Sequence, residues 1–147
     1  NLSIRKRQRT NPKFYFFDTG VQRALAGKLS ASLERGTRDY GMAFEHFLVT
    51  EISRAAGYSG KDYAISFYRT EAEAEVDLIV ESPGGGVHAL EIKASDDPHS
   101  GDLRGLKSFG EIEPRASLAC VCLAPRPRTS GGVRILPWQD VFEKLGF

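Results

Sequence analysis

Two carboxylates and an amine stand where strand-like runs would otherwise be apolar: Asp77 in EVDLIVE (75–81), and Glu91 with Lys93 in VHALEIK (87–93). One or two acids suit Mg2+, which keeps several waters for a phosphate substrate to displace. A lysine beside them can position a water or offset charge developing on a phosphoryl group. These residue types therefore suit metal-assisted phosphoryl hydrolysis. The competing reading is a solvated charge ladder on a half-exposed sheet, because Asp followed later by Glu-x-Lys is a short and common pattern.

Whether the three groups meet depends on strand register, since side chains alternate between the two faces. The Pro and glycines of SPGGG (82–86) mark a turn joining the runs into a hairpin. Without a following Lys-Ser/Thr and helix, they do not form a phosphate loop. Pairing Val80 with Val87 would leave Asp77 among Leu90 and Ile92, a lone buried carboxylate. Pairing Glu81 with Val87 and Ile79 with Ala89 instead sets Asp77 across from Glu91. Val76, Leu78, Val80, Leu90 and Ile92 then share one apolar face, and this second register is predicted. Adjacent carboxylates repel unless a cation lies between them. Lys93, one pleat away, compensates in part, and Mg2+ or Mn2+ would compensate more.

The elements around the hairpin must hold it. YGMAFEHFLVTEISRAA (40–56) spaces Phe44, Phe47, Leu48, Ile52 and Ala55 as an amphipathic helix, with His46, Thr50, Ser53 and Arg54 on its polar face. Glu45 and Glu51 both lean toward its buried side, and either could supply a third carboxylate. AISFYRT (64–70) reads as a strand, followed by an acidic turn around Glu71, Glu73 and Glu75. DLRGLKSFGEI (102–112) has Leu103, Leu106, Phe109 and Ile112 at helical spacing, weakened by Gly105 and Gly110. RASLACVCLAP (115–125) is apolar on both parities, as expected of an interior strand covered on both faces. GGVRILP (131–137) adds an edge strand, and PWQDVFEKLG closes with a helix, Pro137 in its first turn and Gly146 as its stop. Upstream, the aromatics of KFYFFDTG (13–20) suit packing, and GVQRALAG (20–27) suits a short helix. The order predicts an α/β or α+β domain over 14–147, a mixed sheet flanked by helices.

At 147 residues and 16.2 kDa, with 41% hydrophobic and 27% charged residues, the chain suits one soluble domain without a membrane span. Cys120 and Cys122, two apart in one strand, fit buried reduced thiols in a cytoplasmic protein better than a disulfide or a zinc site. The first thirteen residues carry Arg5, Lys6, Arg7, Arg9 and Lys13 with no acid, while the whole chain nets +1, so the remainder nets −4. That segment could contact a phosphate backbone or form a solvated linker. Opening on Asn1, the chain reads as a fragment of a longer protein.

FEHFLVTEI, YRTEAEAEVDLIV, LEIKAS and DLRGLKSF, preceded by NPKFYFFDTGVQRAL, resemble in this order the C-terminal domain of unknown function of many bacterial and archaeal AAA+ ATPases. That domain is similar to the PD-(D/E)XK nuclease superfamily, with its restriction-endonuclease-like core of helix, three-strand meander, helix and further strand. The resemblance implies Asp77 and Glu91 as metal ligands, Lys93 as the catalytic lysine and Glu45 as the helix-borne acid. Val76 stands where the pattern has Pro, and DLRGLKSF lacks a Gln-x-x-x-Tyr element. The resemblance also implies an upstream ATPase domain as partner and Mg2+-dependent cleavage of DNA. Two other functions fit such a domain: a catalytically silent docking or oligomerisation module, and DNA binding through the basic arm.

Overall fold

The structure is a computed structural model that describes residues 18–28, 30–70 and 74–147. The aromatic run 14–17, the basic residues Arg5, Lys6, Arg7, Arg9 and Lys13, and Glu71 and Glu73 lie outside the described residues. The elements follow in the order α1 (Thr19–Leu25), α2 (Arg38–Tyr58), β1 (Ala64–Arg69), β2 (Glu75–Glu81) and β3 (Val87–Lys93). A 3-10 turn (Ser100–Leu103) then leads into α3 (Arg104–Ile112), β4 (Ser117–Cys122), β5 (Arg128–Ser130), β6 (Val133–Pro137) and α4 (Asp140–Leu145).

The six strands form one mixed sheet in the order β1-β2-β3-β4-β6-β5. The first three are an antiparallel meander, β4 runs parallel to β3, and β6 runs parallel to β4. α3 makes the crossover from β3 to β4. β6 is not the edge strand its sequence suggests, because β5 pairs antiparallel along its outer side. Three polar residues, Arg128–Ser130, carry no apolar alternation by which β5 could be recognised. Pro137 ends β6 instead of opening α4. Gly146 terminates α4 at φ 85°, a left-handed conformation that suits glycine.

The hairpin takes the predicted register, with Glu81 across from Val87, Ile79 across from Ala89 and Leu78 across from Leu90. Its loop is closed at both ends: Ser82 N donates to Gly86 O (2.8 Å), and Gly86 N donates to Ser82 Oγ (3.1 Å). The sheet is packed on both faces. Leu78, Val80, Leu90 and Ile92 meet Leu48, Val49 and Ile52 of α2 and Val141 and Leu145 of α4. Ile79, Ala89, Cys120 and Cys122 share the opposite core with Leu106 and Phe109 of α3.

Val76 departs from expectation and packs in the α3 core. The β1–β2 register explains this: Ser66 faces Ile79 but Tyr68 faces Val76, so Asp77 and Leu78 together oppose Phe67. This is a β-bulge, which reverses the inward and outward parity beyond it.

α2 keeps Leu48 and Ile52 of its expected face buried, with Phe44 packed on the core, but is rotated from it at His46 and Phe47. Its buried residues are His46, Leu48, Val49, Ile52 and Ala56, so His46 is in the core instead of on the polar side. Phe47 is half-exposed and packs edge-on against Trp138 at 5.5 Å. α3 buries Leu106 and Phe109 behind Leu103 of the 3-10 turn, while Ile112 remains exposed. Its glycines serve close packing. A Cβ on Gly105 would lie 1.9 Å from the Glu75 carbonyl oxygen, and one on Gly110 would lie 2.9 Å from Leu118 Cδ1.

Candidate active site

The bulge lies at the site. β2 and β3 pair from Glu81 and Val87 as far as Leu78 and Leu90, where the ladder stops short of Asp77 and Glu91. There a side chain takes over from the backbone ladder: Asp77 Oδ2 accepts the Ile92 N–H at 2.8 Å. Asp77 is thereby tied to the strand that carries Glu91 and Lys93. Both acids are 7% exposed. Lys93 Nζ lies 2.8 Å from Glu91 Oε1, with the lysine side chain 36% exposed.

Glu91 Oε2 is buried and, among the described residues, has no hydrogen-bond partner. Burial, and then the negative charge of Asp77, push the Glu91 carboxyl up to about 7, against the hydrogen bond and charge of Lys93. Burial also opposes the charge on Lys93, but its hydrogen bond to Glu91 and the charges of Glu91 and Asp77 outweigh it and hold the amine above its ordinary range.

These residues line a cleft of about 860 Å³, together with Glu45, Glu75, Asp102, Arg104 and Ser108. Glu45, not Glu51, is the helix-borne acid that reaches it. Counting ~100° per residue, Glu45 projects within ~40° of Val49, whereas Glu51 projects ~160° away. Glu51 instead pairs with Arg54 at 2.6 Å. Asp77, Glu91, Lys93 and Glu45 thus share one cleft. Arg5, Lys6, Arg7, Arg9 and Lys13, named as a nucleic-acid contact, lie outside the described residues.

The hairpin alone could not identify Gly105, Arg104 and Ser108. Their signal was present in DLRGLKSF, where Arg104 and Ser108 lie four apart, on a different stripe from Leu103, Leu106 and Phe109. Cys120 and Cys122 sit beside Glu91 and Lys93 on β4, each as a buried free thiol. Contact with Cys122 and burial push the Cys120 thiol up, so it stays protonated.

Asp77 and Glu91 are the residues that could hold a hard divalent cation. Two oxygen-bearing side chains converge from adjacent strands, and one buried carboxylate oxygen has no partner among the described residues. Among the described residues, no group of three or more His, Cys, Asp or Glu side chains could hold an ion by itself. An ion here would therefore keep several waters, as Mg2+ does. Among the described residues, no helix is long and apolar enough to cross a membrane.

Uncharacterized proteins of Mycobacterium bovis and Mycobacterium tuberculosis are each 33% identical to the chain over 97 residues, 65% of this chain and 21% of theirs. The chain thus spans about a fifth of the length of the curated relatives it matches. No solved structure matches it. A family profile covers residues 40–141, from the helix that carries Glu45 to the helix that closes the sheet. With the hairpin, the cleft and most of both cores inside that span, the chain belongs to the family described as a domain of unknown function, DUF4143.

Proposed function

We propose that the chain is a metal-dependent phosphodiester hydrolase domain acting on DNA, with the restriction-endonuclease-like core of the PD-(D/E)XK nucleases. The observation that carries this is the partnerless, buried Glu91 Oε2 in a cleft shared with Asp77, Lys93 and Glu45. Leaving a buried carboxylate oxygen unsatisfied costs stability, so selection for stability alone would favour an apolar residue here. The order of helix, antiparallel meander, helix and parallel strand supports the same reading.

In this proposal Asp77 and Glu91 hold Mg2+ or Mn2+, and Glu45 supports them across the cleft. When bound, the ion polarises a phosphoryl oxygen and lowers the pKa of a bound water. Lys93 stays protonated, anchored by Glu91, and its remaining N–H groups orient the attacking water and offset charge on the phosphate. Asp77, pinned by the Ile92 N–H, keeps its position as ligand and substrate arrive. The domain would work beside an ATPase module within a longer chain. The relatives extend well beyond the 21% of their length that this chain covers.

Wild-type protein is expected to cleave plasmid or oligonucleotide DNA with Mg2+ or Mn2+ and to be inert in EDTA. Lys93→Ala is expected to lower the rate by about 100-fold or more. Gel-based cleavage assays measure both, and wild-type rates in Lys93→Ala would sink the assigned role. A second reading, a catalytically silent docking or oligomerisation module, is favoured by exposed Leu25 on α1 and Met42 on α2. Absence of cleavage together with absence of Mn2+ binding in calorimetry would favour it.

A further inference from the structure

The cleft is strongly acidic, with Glu45, Glu75, Asp77, Glu91 and Asp102 against only two cations among its lining residues, Lys93 and Arg104. Lys93 is committed to Glu91 at 2.8 Å. Arg104 is not committed: among the described residues no carboxylate lies within ion-pairing distance of it, and its single side-chain hydrogen bond runs from Nε to Gly101 O at 3.3 Å. That contact leaves both terminal nitrogens of the guanidinium unused. Asp102, its neighbour in sequence, is itself engaged, accepting the His99 N–H on Oδ2 at 3.0 Å.

Ser108 lies one helical turn beyond Arg104 on the same side of α3 and also lines the cleft. Among the described residues its hydroxyl has no hydrogen-bond partner. The approach of α3 to the sheet brings both groups close to the carboxylates. Gly105 lies between them in sequence, and its missing side chain lets α3 sit directly on the Glu75 backbone. An unpaired arginine and an unpaired hydroxyl beside several carboxylates are suited to an anion that arrives from outside. A guanidinium fork binds two oxygens of one phosphate, and a hydroxyl can donate to a third.

We infer that the Arg104–Ser108 face of α3 is a phosphate-binding wall that grips the backbone of a nucleic-acid strand across the cleft from Asp77 and Glu91. It rests on reading the cleft as a nucleic-acid site, but it assigns binding to residues that touch neither the metal ligands nor Lys93. Arg104 positions the strand, and Ser108 contributes a weaker contact.

The test is fluorescence anisotropy of a labelled oligonucleotide, single-stranded and duplex, titrated with protein in Ca2+ at several salt concentrations. Arg104→Ala is expected to weaken binding about 10-fold or more and to reduce the salt slope by about one. Arg104→Lys should recover only part of the loss, because an ammonium lacks the fork. Ser108→Ala should weaken binding about 3-fold. Lys107→Ala removes an equal charge from the same helix outside the cleft lining and is expected to change binding less than about 3-fold. Arg104 is exposed, so its variants should keep the wild-type melting temperature.

Wild-type affinity in Arg104→Ala overturns the inference, as does equal weakening in Lys107→Ala or no binding by the wild type. Binding that depends on Arg104 in a protein that cuts nothing with Mg2+ or Mn2+ would uphold the inference and reject the hydrolase. Cleavage by a protein whose binding ignores Arg104 would do the reverse.

Discussion

Gly105→Ala is expected to lower the unfolding free energy by at least about 3 kcal/mol. For a chain of this size the melting temperature should fall by roughly 10 °C. The added Cβ would lie 1.9 Å from the carbonyl oxygen of Glu75, far inside contact distance. The opposing atom is backbone at the start of β2, so no side-chain rotation can relieve the overlap. Either α3 lifts from the sheet, opening the core around Leu106 and Phe109, or the strand shifts beneath Asp77. Because Arg104 and Ser108 ride on the same helix, any variant that still folds should also bind phosphate more weakly. Gly57→Ala is the matching control: it lies in α2 with nothing within 4 Å of the added Cβ. It should stabilise the protein by about 0.5–1 kcal/mol, since glycine is a poor helix former. Urea unfolding of the two variants decides the matter, and wild-type stability in Gly105→Ala would refute the packing described.

Glu91→Gln is expected to stabilise the metal-free protein above neutral pH. The Glu91 carboxyl is raised to about 7 in the fold, chiefly by burial and then by Asp77. In the unfolded chain it titrates near its ordinary value of about 4.3. The folded state therefore binds this proton more tightly than the unfolded state. Its contribution is fully present below about pH 4 and is lost as pH rises through about 7. The loss is at most about 4 kcal/mol. The glutamine variant has no such titration. The difference between the two proteins should be near zero at about pH 4, should grow through the interval and should level off above about pH 8. Subtracting one curve from the other removes background titrations, such as that of His88, whose pKa is lowered by burial and by Lys144. Metal provides an internal check, because a cation at Asp77 and Glu91 replaces the proton. Mn2+ or Mg2+ should raise wild-type stability at about pH 8 and leave Glu91→Gln nearly unchanged. Parallel pH curves for the two proteins would contradict the burial assigned to Glu91.

Much of this arrangement was legible in the residues. The turn at SPGGG and the apolar alternation around it were enough for the hairpin register. Pairing Val80 with Val87 would bury a lone carboxylate, and that energetic conflict is local. β4 could be recognised as interior because Leu118–Ala124 is apolar on both parities. The short strand β5 could not be recognised, since three polar residues pair through backbone groups that every sequence carries. Long-range packing decided the remaining features. On α2 the helix buries Leu48 and Ile52 and packs Phe44 on the core as the spacing suggests, but it leaves Phe47 exposed and adds His46, Val49 and Ala56 to the buried side. Its rotation, with Leu48, Val49 and Ile52 on the sheet, chooses Glu45 over Glu51.

From the sequence alone, Asp77, Glu91 and Lys93 could be assigned to one face of one hairpin, because alternation and turn length are properties of neighbouring residues. The tertiary structure supplied what depends on residues far apart in the chain. The bulge opposite Phe67 reverses Val76 at the site, and Gly105 admits α3 to the Glu75 backbone. Arg104 and Ser108 thereby join the cleft, and Glu91 Oε2 is left buried with no partner among the described residues. Local periodicity puts Arg104 and Ser108 on one stripe of α3, but what that stripe meets, like the other three features, depends on how closely two separate elements approach.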